Sequence, residues 1–165
     1  MKTIRKVLVI SDAHGSTEPV KKVILREQPF DLVVALGDFT GALDCIYEMT
    51  KEPVIAVAGN CDLYSSLPPS MTFSVGPHRV LAVHGHYQQV RYGYEMLAEE
   101  AVKAGCDVVM YGHTHVPVID YTTVPGLLIL NPGSIALPKQ KGLEKSYMTI
   151  DVDENGKLDP WIRYL

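Results

Sequence analysis

Apolar and polar positions along the chain follow patterns typical of alternating strands and helices. Continuous runs rich in Val, Ile and Leu indicate strands buried on both faces, and apolar residues at helical spacing indicate amphipathic helices. In the first two-thirds of the chain, strand patterns lie at residues 4–11, 31–36, 53–58, 71–75, 79–84 and 107–111. Helical patterns lie at residues 42–51 and 92–104, and an earlier one follows Ser16 or Thr17 as its N-terminal cap and continues to Glu27.

The last third of the chain shows strand patterns alone, at residues 116–122, 127–130, 146–151 and 157–164. Helices in the first part and strands in the last favour an α/β fold with two packed sheets over a single doubly wound sheet. No repeat, linker or low-complexity segment interrupts the 165 residues, so we expect one domain over residues 1–165.

Composition narrows the class of protein. Hydrophobic residues make up 47% of the chain and charged residues 21%, a balance that excludes an intrinsically disordered protein. With a net charge of −4, the chain does not have the excess of basic residues that is typical of nucleic-acid-binding proteins. No apolar run is long enough to span a bilayer. Because Cys45, Cys61 and Cys106 are odd in number and widely spaced, we expect no disulfide framework and a cytoplasmic location.

Chemically active side chains follow the ends of five predicted strands. Asp12 and His14 come after the first strand, Asp38 after the second and Asn60 after the third. The later clusters are His84-Gly85-His86 and Gly112-His113-Thr114-His115. The clusters are about two dozen residues apart, which is close to one strand and one return connection, so all five can surface at one edge of the sheet.

The residue types in these clusters indicate a metal site. Imidazole and carboxylate together suit zinc, manganese, iron or nickel, and seven ligands exceed what one tetrahedral ion takes. They fit two ions that share a carboxylate. Two divalent ions, two aspartates and one bridging hydroxide leave a net charge of about +1, which favours an anionic phosphate ester as substrate.

The motifs, in this order, resemble those of the calcineurin-like metallophosphoesterase superfamily. They are Asp12-x-His14, Gly37-Asp38, Gly59-Asn60-x-Asp62, His84-Gly85-His86 and Gly112-His113-Thr114-His115, and the resemblance covers about residues 7–135. The small size and the Gly59-Asn60-Cys61-Asp62 variant are similar to a compact bacterial and archaeal phosphodiesterase branch. The resemblance implies a four-layer αββα sandwich, in which helices flank two packed mixed β-sheets. It also implies two divalent metal ions, Mn or Ni first, with Zn, Fe or Mg as alternatives.

The resemblance also assigns a role to each candidate metal ligand. It implies that one ion is held by Asp12, His14 and His115. It implies that the other ion is held by Asn60, His84 and His113, with Asp38 bridging the two. The segment Asn131-Pro132-Gly133-Ser134 resembles a turn beyond the last ligand in this branch, and we interpret it first as a turn.

The candidate catalytic residues are Asn60, Cys61, His84 and His86. Most of the superfamily has His after the Asn, where it contacts phosphate or protonates the leaving group, whereas this chain has Cys61. A thiol is a poorer proton donor than an imidazolium at neutral pH and brings no positive charge. Cys61 is therefore open between a catalytic role and a wall of the site. For His86, support of a ligand, contact with phosphate and a plain loop position all stay open.

The sequence thus predicts a phosphodiesterase that hydrolyses phosphate diesters with a metal-bridging hydroxide. A phosphomonoesterase with the same site is one alternative, against which the lack of an obvious arginine cluster near the motifs counts mildly. A catalytically weak interaction scaffold, like the retromer subunit that shares this fold, is another. The expected partner is a small phosphoester, with no membrane and no nucleic-acid surface, and homo-oligomerisation stays open.

Overall fold

The computed structural model describes residues 2–165, and its elements follow the predicted order. The strands are β1 (Lys6–Ile10), β2 (Leu32–Ala35), β3 (Val54–Ala56), β4 (Ser70–Val75), β5 (His78–Val83), β6 (Val108–Met110), β7 (Pro117–Asp120), β8 (Leu128–Pro132), β9 (Ser146–Val152) and β10 (Leu158–Tyr164). The helices are α1 (Thr17–Glu27), α2 (Leu43–Met49) and α3 (Glu95–Lys103).

Two details at helix starts differ from the sequence prediction. Ser16 occupies the N-cap position of α1 with an extended backbone, but its side chain makes no capping hydrogen bond. The helix predicted from residue 92 begins at Glu95, because residues 91–92 still belong to a turn that follows β5. That turn brings Arg91 to the candidate site described below.

The strands form two mixed five-stranded sheets, as predicted. The first sheet has the order β10-β9-β1-β2-β3, in which β1, β2 and β3 run parallel and β9 and β10 are antiparallel additions. The second has the order β4-β5-β6-β8-β7, in which β5, β6 and β8 run parallel between two antiparallel edge strands. Parallel strands joined by helices read as continuous apolar runs because both of their faces are buried.

The alternating direction of side chains along each strand gives the first sheet two apolar faces, one toward the second sheet and one toward the helices. In β1, Val7 and Val9 pack into the core between the two sheets, whereas Leu8 and Ile10 pack on the outer side with Val20 of α1. Successive side chains of a strand point to opposite faces, so one apolar run supplies both layers.

The second sheet repeats this arrangement on its own side. Val80 of β5 contributes to the core between the sheets, and Leu81 belongs to the outer cluster with Leu97 of α3. The order of layers is therefore α1 and α2, first sheet, second sheet, α3, which confirms the predicted αββα sandwich. None of the helices in the part of the chain described here has the length and hydropathy needed to cross a bilayer.

This topology corrects one feature of the predicted site. The polar clusters were expected at one edge of a single sheet. Instead, Asp12, Asp38 and Asn60 follow β1, β2 and β3 of the first sheet, while His84 and His113 follow β5 and β6 of the second. Because both parallel groups present their carboxyl ends on the same side of the sandwich, the clusters meet across the junction of the two sheets.

Candidate metal centre

The seven predicted ligands come together in three overlapping groups of donor atoms. Each group has one donor atom per residue, and these atoms lie within 4.8 Å of one another. The groups are Asp12, His14 and His115; Asp38, His84 and His113; and His14, Asp38 and Cys61. Asn60 joins them through its Oδ1, which lies 3.1 Å from Nε2 of His84. Residues from both sheets and five connections therefore form one cluster.

Asp12 lies at the bottom of this cluster and is fully buried. Its Oδ2 accepts hydrogen bonds from the hydroxyl of Ser11 at 2.6 Å and from the backbone N–H of His113 at 3.1 Å. Its Oδ1 has no hydrogen-bond partner among residues 2–165, although Nε2 of His115 lies 3.1 Å away. A buried carboxylate oxygen without a donor is costly, and a coordinated cation removes that cost.

Asp38 lies between the two groups of imidazoles. Its Oδ1 accepts the backbone N–H of Cys61 at 2.7 Å. Its Oδ2 lies 3.2 Å from Nε2 of His84 and 3.8 Å from Nε2 of His14. The carboxylate thus faces histidines that belong to different groups, which is the placement a bridging ligand requires.

Backbone carbonyl groups fix the ring orientation of two histidines, His84 and His115. The Nδ1 of His84 is 2.6 Å from the carbonyl oxygen of Leu36, and the Nδ1 of His115 is 2.6 Å from that of Leu137. A backbone carbonyl accepts only from a protonated nitrogen, so Nδ1 carries a proton and Nε2 is the nitrogen that faces the cluster. Nε2 of His115 also approaches Nε2 of His14 to 3.3 Å, as two ligands of one ion do.

Backbone strain is concentrated at the predicted ligands. Among the described residues, nine that are not glycine have a positive φ, and five of them are predicted ligands: Asp12, His14, Asp38, His113 and His115. Their φ angles lie between 45° and 67°, a region that costs of order 1 kcal/mol or more for a residue with a side chain. Such strain persists only where the surrounding structure holds it, and it accumulates at functional sites.

Two glycines allow the backbone to pass close to the aspartates. A Cβ built on Gly59 would collide with the carboxylate of Asp38, and one on Gly112 would collide with Ser11 Oγ and lie 2.8 Å from Oδ2 of Asp12. These contacts explain the residue type at both positions, since any side chain would displace a predicted ligand.

The charges in the cluster support one another. Burial by itself raises the pKa of Asp12, but the contacts with His115 and His14 outweigh it and hold that pKa well below its usual value. Burial likewise raises the pKa of Asp38, but the contacts with His84 and with the backbone N–H of Cys61 together outweigh it and hold that pKa below its usual value. Both carboxyl groups are therefore ionised at neutral pH. Burial, assisted by the charges of His84 and Arg91, lowers the pKa of His113 to about 4, which leaves its ring neutral and able to act as a ligand.

The remaining two catalytic candidates line the cluster. His86 is half-buried, its ring centroid lies 5.4 Å from that of His84, and it packs at 4.0 Å against the ring of Tyr87. Cys61 is also half-buried, and its Sγ accepts the side-chain N–H of Asn60 at 3.5 Å. Both side chains therefore border the space in front of the predicted ligands.

Sequence reasoning undervalued Asp62. Its carboxylate accepts three backbone N–H groups, from Asp38 at 2.7 Å, from Thr40 at 2.8 Å and from Gly59 at 2.8 Å. It ties the loops after β2 and β3 together, so Asp62 positions Asp38 and Asn60. The Asp at this motif position was the available signal.

Two further residues support the cluster from the turn after β8. Ser134 donates its hydroxyl to the carbonyl of Asp12 at 2.8 Å, and Asn131 donates to the carbonyl of Gly112 at 3.0 Å and to Thr114 Oγ1 at 3.1 Å. Both are fully buried, so they brace the loops that carry ligands and do not face a substrate.

Arg91 is a residue of the site that the motifs did not indicate. Its Nε lies 3.2 Å from Nε2 of His113, and its Nη2 donates to the carbonyl of the same residue at 3.1 Å. The sequence shows no obvious arginine cluster near the motifs, and the structure adds this one guanidinium to the site. It lies outside every motif, and only the turn before α3 brings it to the cluster.

The donor chemistry fits the binding of divalent metal ions. Imidazole nitrogens, two ionised carboxylates and an amide oxygen converge, and one buried carboxylate oxygen is without a partner in the described part of the chain. Carboxylate and imidazole donors of this kind suit zinc, manganese, iron and nickel.

Two packed mixed sheets flanked by helices are the fold that the motifs implied for a phosphoesterase. A family model described as a calcineurin-like phosphoesterase superfamily domain matches residues 6–155, and the chain belongs to this superfamily. The family implies a hydrolase of phosphate esters that uses divalent metal ions.

Relatives and solved structures agree with this assignment. The chain is 31% identical over 150 residues to "Probable metallophosphoesterase YsnB" of Bacillus subtilis (strain 168), covering 90% of this chain and 85% of that protein. It is 30% identical over 172 residues to "Phosphodiesterase YfcE" of Escherichia coli (strain K12), covering 90% and 88%. A crystal structure of a conserved Streptococcus pneumoniae TIGR4 protein, described as a predicted phosphoesterase, superposes with a TM-score of 0.79 at 25% identity over 99% of this chain and 100% of that one.

Proposed function

We propose that this chain is a dinuclear-metal phosphodiesterase. The observation that carries the proposal is the position of Asp38, whose carboxylate lies between the imidazoles of His14 and His84. One shared carboxylate between two groups of ligands is the arrangement that two cations need in order to sit close together. The similarity to YfcE, which is named a phosphodiesterase, supports the reaction class.

In this proposal each residue keeps the role that its motif predicted. One divalent ion would be held by Asp12, His14 and His115. The other would be held by Asn60, His84 and His113, and Asp38 would serve both. When bound, such a pair of ions, with Mn or Ni first and Zn, Fe or Mg as alternatives, supplies Lewis acidity and a water of lowered pKa.

The protein's own groups orient the substrate. Asn60 is exposed, and His14 and His113 are each partly exposed, so the cluster is open on the side away from Asp12. Two possible phosphate contacts lie near His113: the ring of His86, 6.1 Å from that of His113 between centroids, and the guanidinium of Arg91. Both side chains can donate hydrogen bonds to phosphoryl oxygens, where charge increases during attack.

A side-chain nucleophile is not required. Cys61 borders the cluster, but burial, and then the neighbouring Asp38, raise the pKa of its thiol, which keeps the thiol in its less nucleophilic form. We infer that Cys61 is a wall of the site. We also propose that residues 1–165 form one domain, because a single core between the sheets includes residues from β1 and from β10.

The proposed function is tested with paired esters of one alcohol. Metal-stripped protein is re-supplied with one divalent ion at a time and assayed on p-nitrophenyl phosphate and on methyl p-nitrophenyl phosphate. We expect faster turnover of the diester, since among residues 2–165 only Arg91 is hydrogen-bonded to a predicted ligand and could hold a dianionic monoester. Preference for the monoester would identify a phosphomonoesterase, and no turnover of either ester with any ion would favour an interaction scaffold.

Replacing Cys61 by histidine tests how the leaving group obtains its proton. An imidazole beside Asn60 adds an N–H donor and positive charge, so we expect Cys61→His to accelerate hydrolysis of diesters with alkyl leaving groups by at least about tenfold. Esters that release p-nitrophenolate need no proton and should change little. The measurement is the ratio of the two rates, with Cys61→Ser as the control. An unchanged ratio would show that proton donation is not the limitation.

A further inference from the structure

A groove of about 630 Å³ opens directly beside the metal centre. It lies between α2 and the loop after β3, and we call it the tyrosine groove. Its apolar and aromatic lining consists of Phe39, Leu43, Tyr47, Leu63, Tyr64 and Leu67. The volume is within the range of pockets that hold small organic ligands.

The groove and the metal centre share a wall. Cys61 lines the groove, and its backbone N–H binds Oδ1 of Asp38 at 2.7 Å. A donor atom of Cys61 also lies within 4.8 Å of donor atoms of His14 and Asp38. A phosphate in front of Asp38 therefore stands at the mouth of the groove, and a group attached to that phosphate can extend into it.

The lining selects an uncharged ring. Among the described residues that line it, none carries a positive charge, and two are acidic, Asp44 and Asp62. A second anionic group would be repelled there. Tyr47 and Tyr64, by contrast, offer aromatic faces on which a planar ring can stack.

Two tyrosines and one leucine at the rim expose apolar surface to solvent, and a bound ring would cover that surface. Tyr64 is fully exposed and Leu63 is 74% exposed, while Tyr47 is about half exposed. Tyr64 also has a φ of 66°, which is a rare conformation for a bulky aromatic residue. Large apolar side chains grouped at the edge of a site are typical of ligand-binding surfaces.

We propose that the tyrosine groove binds an uncharged aromatic ring carried by one alcohol group of the phosphate diester, such as an aryl group or a nucleobase. This inference rests on the proposed function for the position of the phosphate. Binding of a ring in the tyrosine groove makes the enzyme prefer aromatic diesters to small alkyl diesters. It also disfavours diesters whose alcohol carries further phosphates.

The test uses two phosphinates that mimic diesters but have no P–O–C bond to cleave. Diphenylphosphinate and dimethylphosphinate carry the same anionic group. They differ in that the first has two phenyl rings where the second has two methyl groups. Calorimetric titration of the manganese-loaded protein should show about tenfold tighter binding of the diphenyl compound. The double variant Tyr47→Ala/Tyr64→Ala should lose this preference and keep its affinity for dimethylphosphinate.

The control is Tyr121→Ala, which removes an exposed tyrosine from a different cavity, beside Asp107. It should retain the preference of the original protein. Equal affinities for the two phosphinates, a preference that survives in the double variant, or no binding of diphenylphosphinate would each overturn the inference. Hydrolysis is not needed for this readout. A groove that binds the ring in a protein that cleaves no diester would overturn the proposed function alone.

Discussion

The Asp38→Asn variant should lose nearly all phosphoesterase activity, by about a thousandfold or more in kcat. An amide is neutral and offers a single oxygen, so it cannot neutralise and join two cations as a carboxylate does. Metal content measured by mass spectrometry on the purified variant should fall below two ions per chain, together with the loss of turnover.

This loss should arise without unfolding. The oxygen of an asparagine can still accept the N–H of Cys61, which is the backbone contact that Oδ1 of Asp38 makes. We therefore expect the melting temperature of the metal-free variant to stay close to that of the original metal-free protein. Asp151→Asn, the same chemical change at an exposed position on β9, is the control. Near-normal activity of Asp38→Asn with two metal ions bound would reject the bridging role.

The second large effect is expected for Gly59→Ala. Its new Cβ would collide with the carboxylate of Asp38 and also with the backbone N of the same residue. A backbone atom cannot move aside as the end of a flexible side chain can. Either the loop after β3 or the carboxylate must shift, at a cost of about 1–3 kcal/mol. Because the site needs Asp38 in place, activity should fall at least about a hundredfold.

Gly126→Ala separates this collision from a general effect of replacing glycine. A Cβ at Gly126 meets no atom within 4 Å, although its φ of 76° is unfavourable for alanine. We expect Gly126→Ala to lose about 1 kcal/mol of unfolding free energy and to keep its activity. Denaturant titration and kcat together provide the comparison. If the two variants lose activity equally, the contact with Asp38 is not the cause.

The order and type of the elements could be predicted because both faces of the central strands are buried. The runs that contain Val7 to Ile10 and Val80 to Val83 are apolar throughout, and such runs identify strands without knowledge of their partners. The pairing of the strands could not be predicted in the same way. The prediction placed the clusters at one sheet edge, whereas the order of the two sheets depends on long-range contacts that short patterns do not contain.

The candidate ligands could be predicted because histidine and aspartate directly after buried strands have few structural explanations. Arg91 could not, since a lone arginine in a turn has the appearance of any exposed cation. Asp62 and Ser134 lie between these cases. The segment that contains Ser134 suggested a turn, and the motif of Asp62 gave that residue no role of its own. The backbone groups of Asp38 and Asp12 that they bind lie far away in the chain, so this support required coordinates.

Anomalous diffraction from crystals soaked in manganese tests the central claim most directly. We predict two peaks about 3.5–4 Å apart, with the carboxylate of Asp38 between them. One peak should lie beside Asp12 and the other beside His84. A single peak, or two peaks of which only one contacts Asp38, would contradict the account.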